Sequence, residues 1–245
     1  MKKVRILSDC HGNGRIYHKL INGIPYTLQI GDLGFNYDFL KDVDYNTNVA
    51  IFGNHDRFDL VMSNQYPKHF LSHGYGVKNL GGLIFFYISG AFSIDWKLRE
   101  QKRLSGEWPR TWWEEEQLSY TTLQNAIDAY YKHAVYMRKN GHDIVVITHE
   151  APSSISRLVG SDSMLRNHGY DPETFRTRTG EALQQMFEAI PPDYWFFGHF
   201  HTSFQEEING CIFNCRKQEG GHVDLTLDQN AKRMEVLSIK NGFIK

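Results

Sequence analysis

Three cysteines in 245 residues cannot build a disulfide framework. Cys211 and Cys215 lack the spacing of a zinc knuckle and read as residues packed along a late strand. The formal net charge is −1, so there is no global basic field to draw the chain to nucleic acid or a membrane surface. No apolar run approaches membrane-spanning length, and no apolar leader precedes the first strand, which Met1-Lys2-Lys3 enters directly. A cytoplasmic protein without membrane attachment is the expectation. Internal repeats, low-complexity tracts and linkers are also missing. At 41% hydrophobic residues the chain can bury a full core. One domain over residues 1–245 is the simplest organisation.

What the chain does contain is one pattern used five times. The apolar run Asn48-Val49-Ala50-Ile51-Phe52 reads as a buried strand and stops at Gly53-Asn54-His55-Asp56. Residues 4–8 stop at Asp9-Cys10-His11-Gly12, and residues 26–30 at Gly31-Asp32-Leu33-Gly34. Residues 144–148 stop at His149, and residues 194–197 at Gly198-His199-Phe200-His201. Each strand end delivers Asp, Asn or His, and in open α/β sheets ligands bind outside the carboxyl ends of the strands. In an extended segment Asp9 and His11 share a face while Cys10 points to the core.

Helices are expected from about Asn13 to Ile21, briefly at Asn36–Asp42 and Arg57–Ser63, from Tyr120 to Lys139 before Asn140-Gly141, and from Gly180 to Ala189. Residues 83–92 read as a further buried strand. Residues 93–113 hold four of the five tryptophans and do not read as regular structure before Trp112. Residues 151–179 read mostly as loop. Runs at 203–208, 211–215, 222–227 and 234–240, punctuated by Asn209-Gly210, Gly220-Gly221 and Asn241-Gly242, read as antiparallel strands closing a second sheet.

A site of Asp, Asn and His without thiolate suits divalent ions of intermediate softness: Zn, Mn, Fe, Co or Ni. The candidate ligands are too many for one tetrahedral zinc and are the right number for two ions sharing a carboxylate. Two such ions can clamp an in-line displacement at phosphorus and acidify a water into the nucleophile.

Asp9-x-His11, Gly31-Asp32-x-Gly34, Gly53-Asn54-His55-Asp56, His149 and Gly198-His199-x-His201, in that order, resemble the calcineurin-like metallophosphoesterases. The resemblance implies a four-layer α/β/β/α sandwich of two mixed sheets that hydrolyses phosphate esters, attack coming from a metal-bridging hydroxide. It implies one metal held by Asp9, His11, Asp32 and His201, and another by Asp32, Asn54, His149 and His199. It places His55 beside the substrate phosphate, as general acid or as a donor stabilising the transition state, with Asp56 fixing the His55 ring. Manganese is the ion most expected to support activity. The protein Ser/Thr phosphatase branch resembles Gly-Asp-x-x-Asp-Arg-Gly at the second motif, which this chain lacks. The expected partner is therefore a small phosphoester or nucleotide, monoester or diester, with long nucleic acid disfavoured. The alternatives are a nuclease acting on nucleic-acid ends and a non-catalytic interaction module stabilised by its metals.

Arg57, just after the third motif, is a candidate phosphate binder beside Asn54. The tryptophan-rich segment has two readings. It is a lid-like insertion offering an indole face and a cation from among Lys97, Arg99, Lys102, Arg103 and Arg110, or it is an excursion pinned to the core by its indoles. The burial preference of tryptophan favours the second. His18, His69, His73, His133, His142, His168 and His222 lie outside the five motifs and read as surface or packing residues.

Overall fold

Strands that are apolar without interruption must be covered on both faces, and their alternation assigns each side chain to a layer. The computed structural model describes residues 2–218, 220–228 and 233–240. Strands β1 (Lys2–Leu7), β2 (Tyr26–Ile30) and β3 (Asn48–Ile51) run parallel. Val4, Ile6, Leu28, Ile30, Val49 and Ile51 turn one way, onto a second sheet. Leu7, Ala50 and Phe52 turn the other way, onto helix α1 (Gly14–Ile21) through Tyr17 and Leu20. Asn13 caps α1 by accepting from Ile16 N–H at 3.2 Å.

The second sheet repeats this logic. Strands β4 (Tyr75–Leu80), β5 (Leu83–Ile88), β6 (Val145–Thr148) and β7 (Tyr194–Phe197) follow one another across it. Phe85, Tyr87, Val145, Ile147 and Phe196 face the first sheet. Phe86, Ile88, Val146, Trp195 and Phe197 face helices α4 (Tyr120–Lys139) and α7 (Arg178–Ala189). Along α4 the buried residues Leu123, Ala126, Tyr130, Ala134 and Met137 recur at helical spacing and form one stripe. The result is the expected α/β/β/α sandwich, with its central core between the sheets.

The late strands depart from expectation. β8 (Phe204–Ile208) and β9 (Cys211–Cys215) form a hairpin, but β9 runs parallel to β7 in the six-stranded sheet, ordered β4-β5-β6-β7-β9-β8. β10 (His222–Asp228) and β11 (Arg233–Lys240) instead join the first sheet, ordered β11-β10-β1-β2-β3. A partly buried bidentate pair holds that junction: Arg5 donates to both oxygens of Asp224, at 2.6 and 2.8 Å. The late strands therefore extend both sheets. Asn241-Gly242 lie outside the described residues. β4 is an addition to the sequence reading, because Gly76, Lys78 and Asn79 mask an edge strand whose faces are half open.

Two segments expected to be irregular are partly helical. Helix α2 (Phe58–Met62) falls inside the helical turn expected at Arg57–Ser63, whereas α3 spans Trp96–Leu104 inside the tryptophan-rich segment. α5 (Ser153–Val159) and α6 (Asp162–Asn167) occupy the span that reads as loop. These helices are short and polar, so they carry no extended apolar period; α5 packs through Ile155 and α3 is held through buried Arg99, while α6 buries no residue and starts at a Ser161 cap. Trp113 is buried between Phe35 and Phe58, and Trp96 stacks on Trp112 at 5.0 Å. The insertion is thus pinned by an indole.

Candidate metal centre

Parallel pairing brings the strand ends to one line. Leu7 lies opposite Gln29, and Gln29 opposite Ala50, so Asp9, Asp32 and Asn54 leave the first sheet at one edge. The loops then zip together: His11 N–H donates to Asp32 C=O at 2.9 Å and Gly12 N–H to Leu33 C=O at 2.7 Å. In the second sheet Gly198 N–H donates to His149 C=O at 3.1 Å. His199 N–H reaches across to Asp9 Oδ1 at 3.2 Å and joins the two edges. Asp9, His11, Asp32, His199 and His201 have φ between 46° and 69°; among the other described non-glycine residues only Asn64 and Asn209 have positive φ. Such backbone costs about 1–3 kcal/mol per residue and collects where surrounding structure overrides it. Here it collects where the candidate ligands leave the strands.

Close approach requires glycine at two neighbouring points. A Cβ on Gly31, which has φ +97°, would lie 2.2 Å from His149 Nδ1. A Cβ on Gly53 would lie 2.2 Å from Asp32 Oδ1.

Asp9, His11, Asp32 and His201 each bring one ligand atom within 4.8 Å of the others. His11 Nε2 and His201 Nε2 are 3.0 Å apart, and His201 Nε2 lies 3.3 Å from Asp9 Oδ1. Beside them His149 Nε2 is 3.1 Å from Asp32 Oδ1, and His199 Nδ1 is 2.9 Å from Asn54 Oδ1. His149 tests whether this arrangement fits a metal. Its Nδ1 lies 2.8 Å from Ile30 C=O, which can only accept, so that nitrogen carries the hydrogen. Nε2 is the nitrogen left to face Asp32; it is buried and has no well-aligned hydrogen-bond partner. A buried imidazole nitrogen facing a buried carboxylate calls for positive charge between them, a proton or a metal ion, and the nitrogen and oxygen donors gathered here fit a divalent ion.

The electrostatics agree. Burial pushes the His149 ring toward neutrality, yet Asp32 and Asp9 overcome it and lift its pKa to about 10. Burial also raises the Asp32 carboxyl, but His149 and His55 hold it well below the usual range. His199 goes the other way: burial and His149 depress it to about 3, leaving a neutral ring. The two buried carboxylates are strong enough to hold a proton on His149 against burial, and that same field makes a site for a cation.

His55 stands at the edge of this cluster, its ring 5.1 Å from that of His11. Burial is the main cause that pulls its pKa down to about 4. Asp56 does not hold the His55 ring, contrary to the sequence expectation. Its oxygens accept from Gly53 N–H at 2.8 Å, Gly34 N–H at 3.1 Å and Tyr37 Oη at 3.2 Å, so Asp56 ties two motif loops together. Fully buried there, its carboxyl is pushed up to about 7. The ring of His55 meets Arg99 instead: Nη2 donates to Nδ1 at 3.0 Å. No local sequence signal marks this pairing, which joins residues 44 apart. Arg57 lies elsewhere. Its guanidinium pairs with Asp59 at 2.5–2.7 Å and lines a separate concavity with Phe35 and Tyr37.

A cavity of about 740 Å³ opens over Asp32, Asn54, His55, His199 and His201. Its apolar lining includes Phe92, Ile94, Leu98, Leu165, Phe175 and Phe200. Glu150, also at its lining, accepts from Phe92 N–H at 3.1 Å and from the Thr177 hydroxyl, and so ties the segment after β5 to the start of α7.

Residues 2–203 match the model of the calcineurin-like phosphoesterases. The chain belongs to that family. All five strand-end motifs fall inside the matched span. A dimetal phosphatase from Danio rerio shares the fold, with a TM-score of 0.50 at 11% identity over 93% of each chain. A putative 5′-nucleotidase from Staphylococcus aureus gives 0.48 at 16% identity, covering 98% of this chain and 52% of that one. An archaeal phosphodiesterase gives 0.42 at 12% identity, covering 97% and 99%. At these identities the likeness concerns the fold alone. No curated protein matches the sequence. Among the described residues no helix is long and apolar enough to cross a membrane.

Proposed function

We propose that this family member hydrolyses small or nucleotide-type phosphate esters with the help of two divalent metal ions. The observation that carries the reading is the convergence of seven side chains, Asp9, His11, Asp32, Asn54, His149, His199 and His201, below a cavity of about 740 Å³. Asp9, His11, Asp32 and His201 would hold one ion; Asp32, Asn54, His149 and His199 would hold the other, with Asp32 shared. The nitrogen and oxygen donors without thiolate suit manganese. Bound there, such ions supply Lewis acidity toward phosphoryl oxygens and lower the pKa of water.

The remaining chemistry belongs to the chain. His55 points a ring nitrogen at the phosphoryl group and stabilises charge on an ester oxygen. Asp56 keeps the two loops that carry Asp32 and Asn54 in register. Ile94, Leu98, Phe92, Phe175 and Phe200 take up the organic part of the ester and exclude water from it. On this reading residues 93–113 are a lid-like insertion in a single domain over residues 1–245, and residues 151–179 form the facing wall. A cavity lined from both segments favours a small ester over a long strand.

The test is a hydrolysis panel with manganese-loaded protein: p-nitrophenyl phosphate, bis-p-nitrophenyl phosphate, cyclic nucleotides and a short oligonucleotide. Turnover on the small esters, reduced about 10²–10³-fold in His55→Ala with its metals retained, is the expected result. No turnover across the panel at full metal loading would overturn the proposal. Oligonucleotide cleavage that collapses with salt would replace it with the nuclease reading.

A further inference from the structure

Arg99 is a cation buried to 3% exposure inside a segment that otherwise supplies cavity wall. It does not line the cavity, so it is not placed to touch a phosphate there. Its contacts point elsewhere. Nη1 donates to Ser93 Oγ at 2.7 Å and approaches Glu116 Oε1 at 3.4 Å. Nε lies 3.9 Å from Asp95 Oδ2, and the guanidinium sits 6.0 Å over the Phe35 ring. Nη2 is 3.0 Å from His55 Nδ1. Ser93 Oγ in turn bonds Glu116 Oε2 at 2.5 Å and Asn54 Nδ2 at 3.0 Å. Glu116, Arg99 and Ser93 thus grip the two adjacent motif residues, Asn54 and His55, without themselves lining the cavity.

A guanidinium has donors only and keeps its proton. The contact between Nη2 and Nδ1 is therefore a bond in which the imidazole accepts. Nδ1 must hold a lone pair, and in the neutral ring the hydrogen sits on Nε2. We infer that Arg99 is a positioning residue that locks His55 in the Nε2–H tautomer and aims that N–H into the cavity. The inference rests on the phosphoesterase reading for its consequence only. Of the two roles the motif leaves open for His55, it selects the second. A neutral ring held in this way donates a hydrogen bond to an ester oxygen and does not hand over a proton; no bond is made or broken at His55.

The assignment is checked by ¹⁵N–¹H correlation spectra of the histidine rings in metal-free and zinc-loaded protein at pH 7, with His55→Gln identifying the signals. A pyridine-type Nδ1 and a pyrrole-type Nε2 at His55 are expected, and Arg99→Met should relax the preference toward a mixture of tautomers. A pyrrole-type Nδ1, or two protonated nitrogens, in the wild type would overturn the inference whether or not the protein hydrolyses anything. Arg99→Met leaves Glu116 unpaired, so Arg99→Lys, which keeps the charge and loses the fork, serves where the first variant does not fold. It too should weaken the Nε2–H preference. A second arm uses aryl phosphates of graded leaving-group acidity. The loss in kcat caused by His55→Ala should stay roughly constant along the series; a loss that grows steeply for poorer leaving groups would mark His55 as a proton donor and overturn the assigned role. The right tautomer without turnover on any ester would uphold the tautomer and overturn the phosphoesterase reading.

Discussion

Gly53→Ala asks whether the crowding of the strand ends is what assembles the metal centre. Gly53 has no positive φ, so alanine is allowed by the backbone and its cost is steric. The new Cβ would fall 2.2 Å from Asp32 Oδ1, 2.5 Å from Asp32 N and 2.8 Å from His149 Cδ2, all well inside the ordinary contact distance of 3.4 Å. Asp32 cannot yield freely, because the same Oδ1 accepts from His55 N–H at 2.7 Å and faces His149 Nε2 at 3.1 Å. Forcing one methyl into such a site costs about 1–3 kcal/mol, and losing one bond around Asp32 adds about 1 kcal/mol. A loss of about 2–4 kcal/mol lowers Tm by roughly 4–16 °C in a domain of this size. Calorimetry with and without manganese measures it. Gly23→Ala is the control: nothing lies within 4 Å of its Cβ, but φ is +71°, so it carries backbone strain alone, about 1 kcal/mol. The manganese-induced rise in Tm should shrink in Gly53→Ala and persist in Gly23→Ala. A Gly53→Ala protein that melts with the wild type and takes the same manganese shift would refute the idea that close backbone approach shapes the site.

Metal addition itself should stabilise the fold: at a hundred times Kd the gain is about 2.7 kcal/mol, or roughly 5–11 °C in Tm. His149→Ala, which removes the orphaned Nε2, should forfeit most of that gain, and an unchanged shift would count against the assignment of His149. Asp224→Asn should destabilise the junction of β1 with β10. Burial raises the Asp224 carboxyl, but the bonds to Arg5 and Lys3 outweigh it and hold its pKa at about 2, against 3.8 ordinarily. A depressed pKa contributes stability above pH 4 that is lost as pH falls toward 2. The deficit of the variant in urea, about 2–3 kcal/mol at pH 7, should therefore narrow across that window, and a pH-independent deficit would deny the charge its part. Trp113→Ala should cost about 3–5 kcal/mol in a urea melt, because the indole is buried against Phe35 and Phe58; a loss under about 1 kcal/mol would mean the insertion is not anchored there.

The strand-end motifs are legible in the sequence because the relation they express is local. A buried strand shows as an unbroken apolar run, and its last residue is followed at once by the side chain it presents. Residues 4–8 lead into Asp9 and residues 26–30 into Asp32, so reading each run placed the edge without knowledge of the partner strand. Helix α4 is equally plain, with a stripe of five buried residues along its 20 residues between Ser119 and Asn140. The short helices α3, α5 and α6 are not, since 6–9 residues carry too few turns for a period to stand out.

What the sequence determined by itself was the set of buried strands, the edge at which they end and the residue types gathered there, consequences of hydrophobic burial and strand alternation; the four-layer sandwich followed from the family resemblance. Tertiary structure alone decided which late strands join which sheet, because β9 and β10 are strands of similar length and their pairing depends on where the chain can cross. It alone decided the partners of the polar groups. Asp56 is one residue from His55 yet turns to Gly34, Gly53 and Tyr37, while Arg99, 44 residues away, reaches the ring. A hydrogen bond is directional and short-ranged, so its partner is set by folded geometry and not by spacing along the chain.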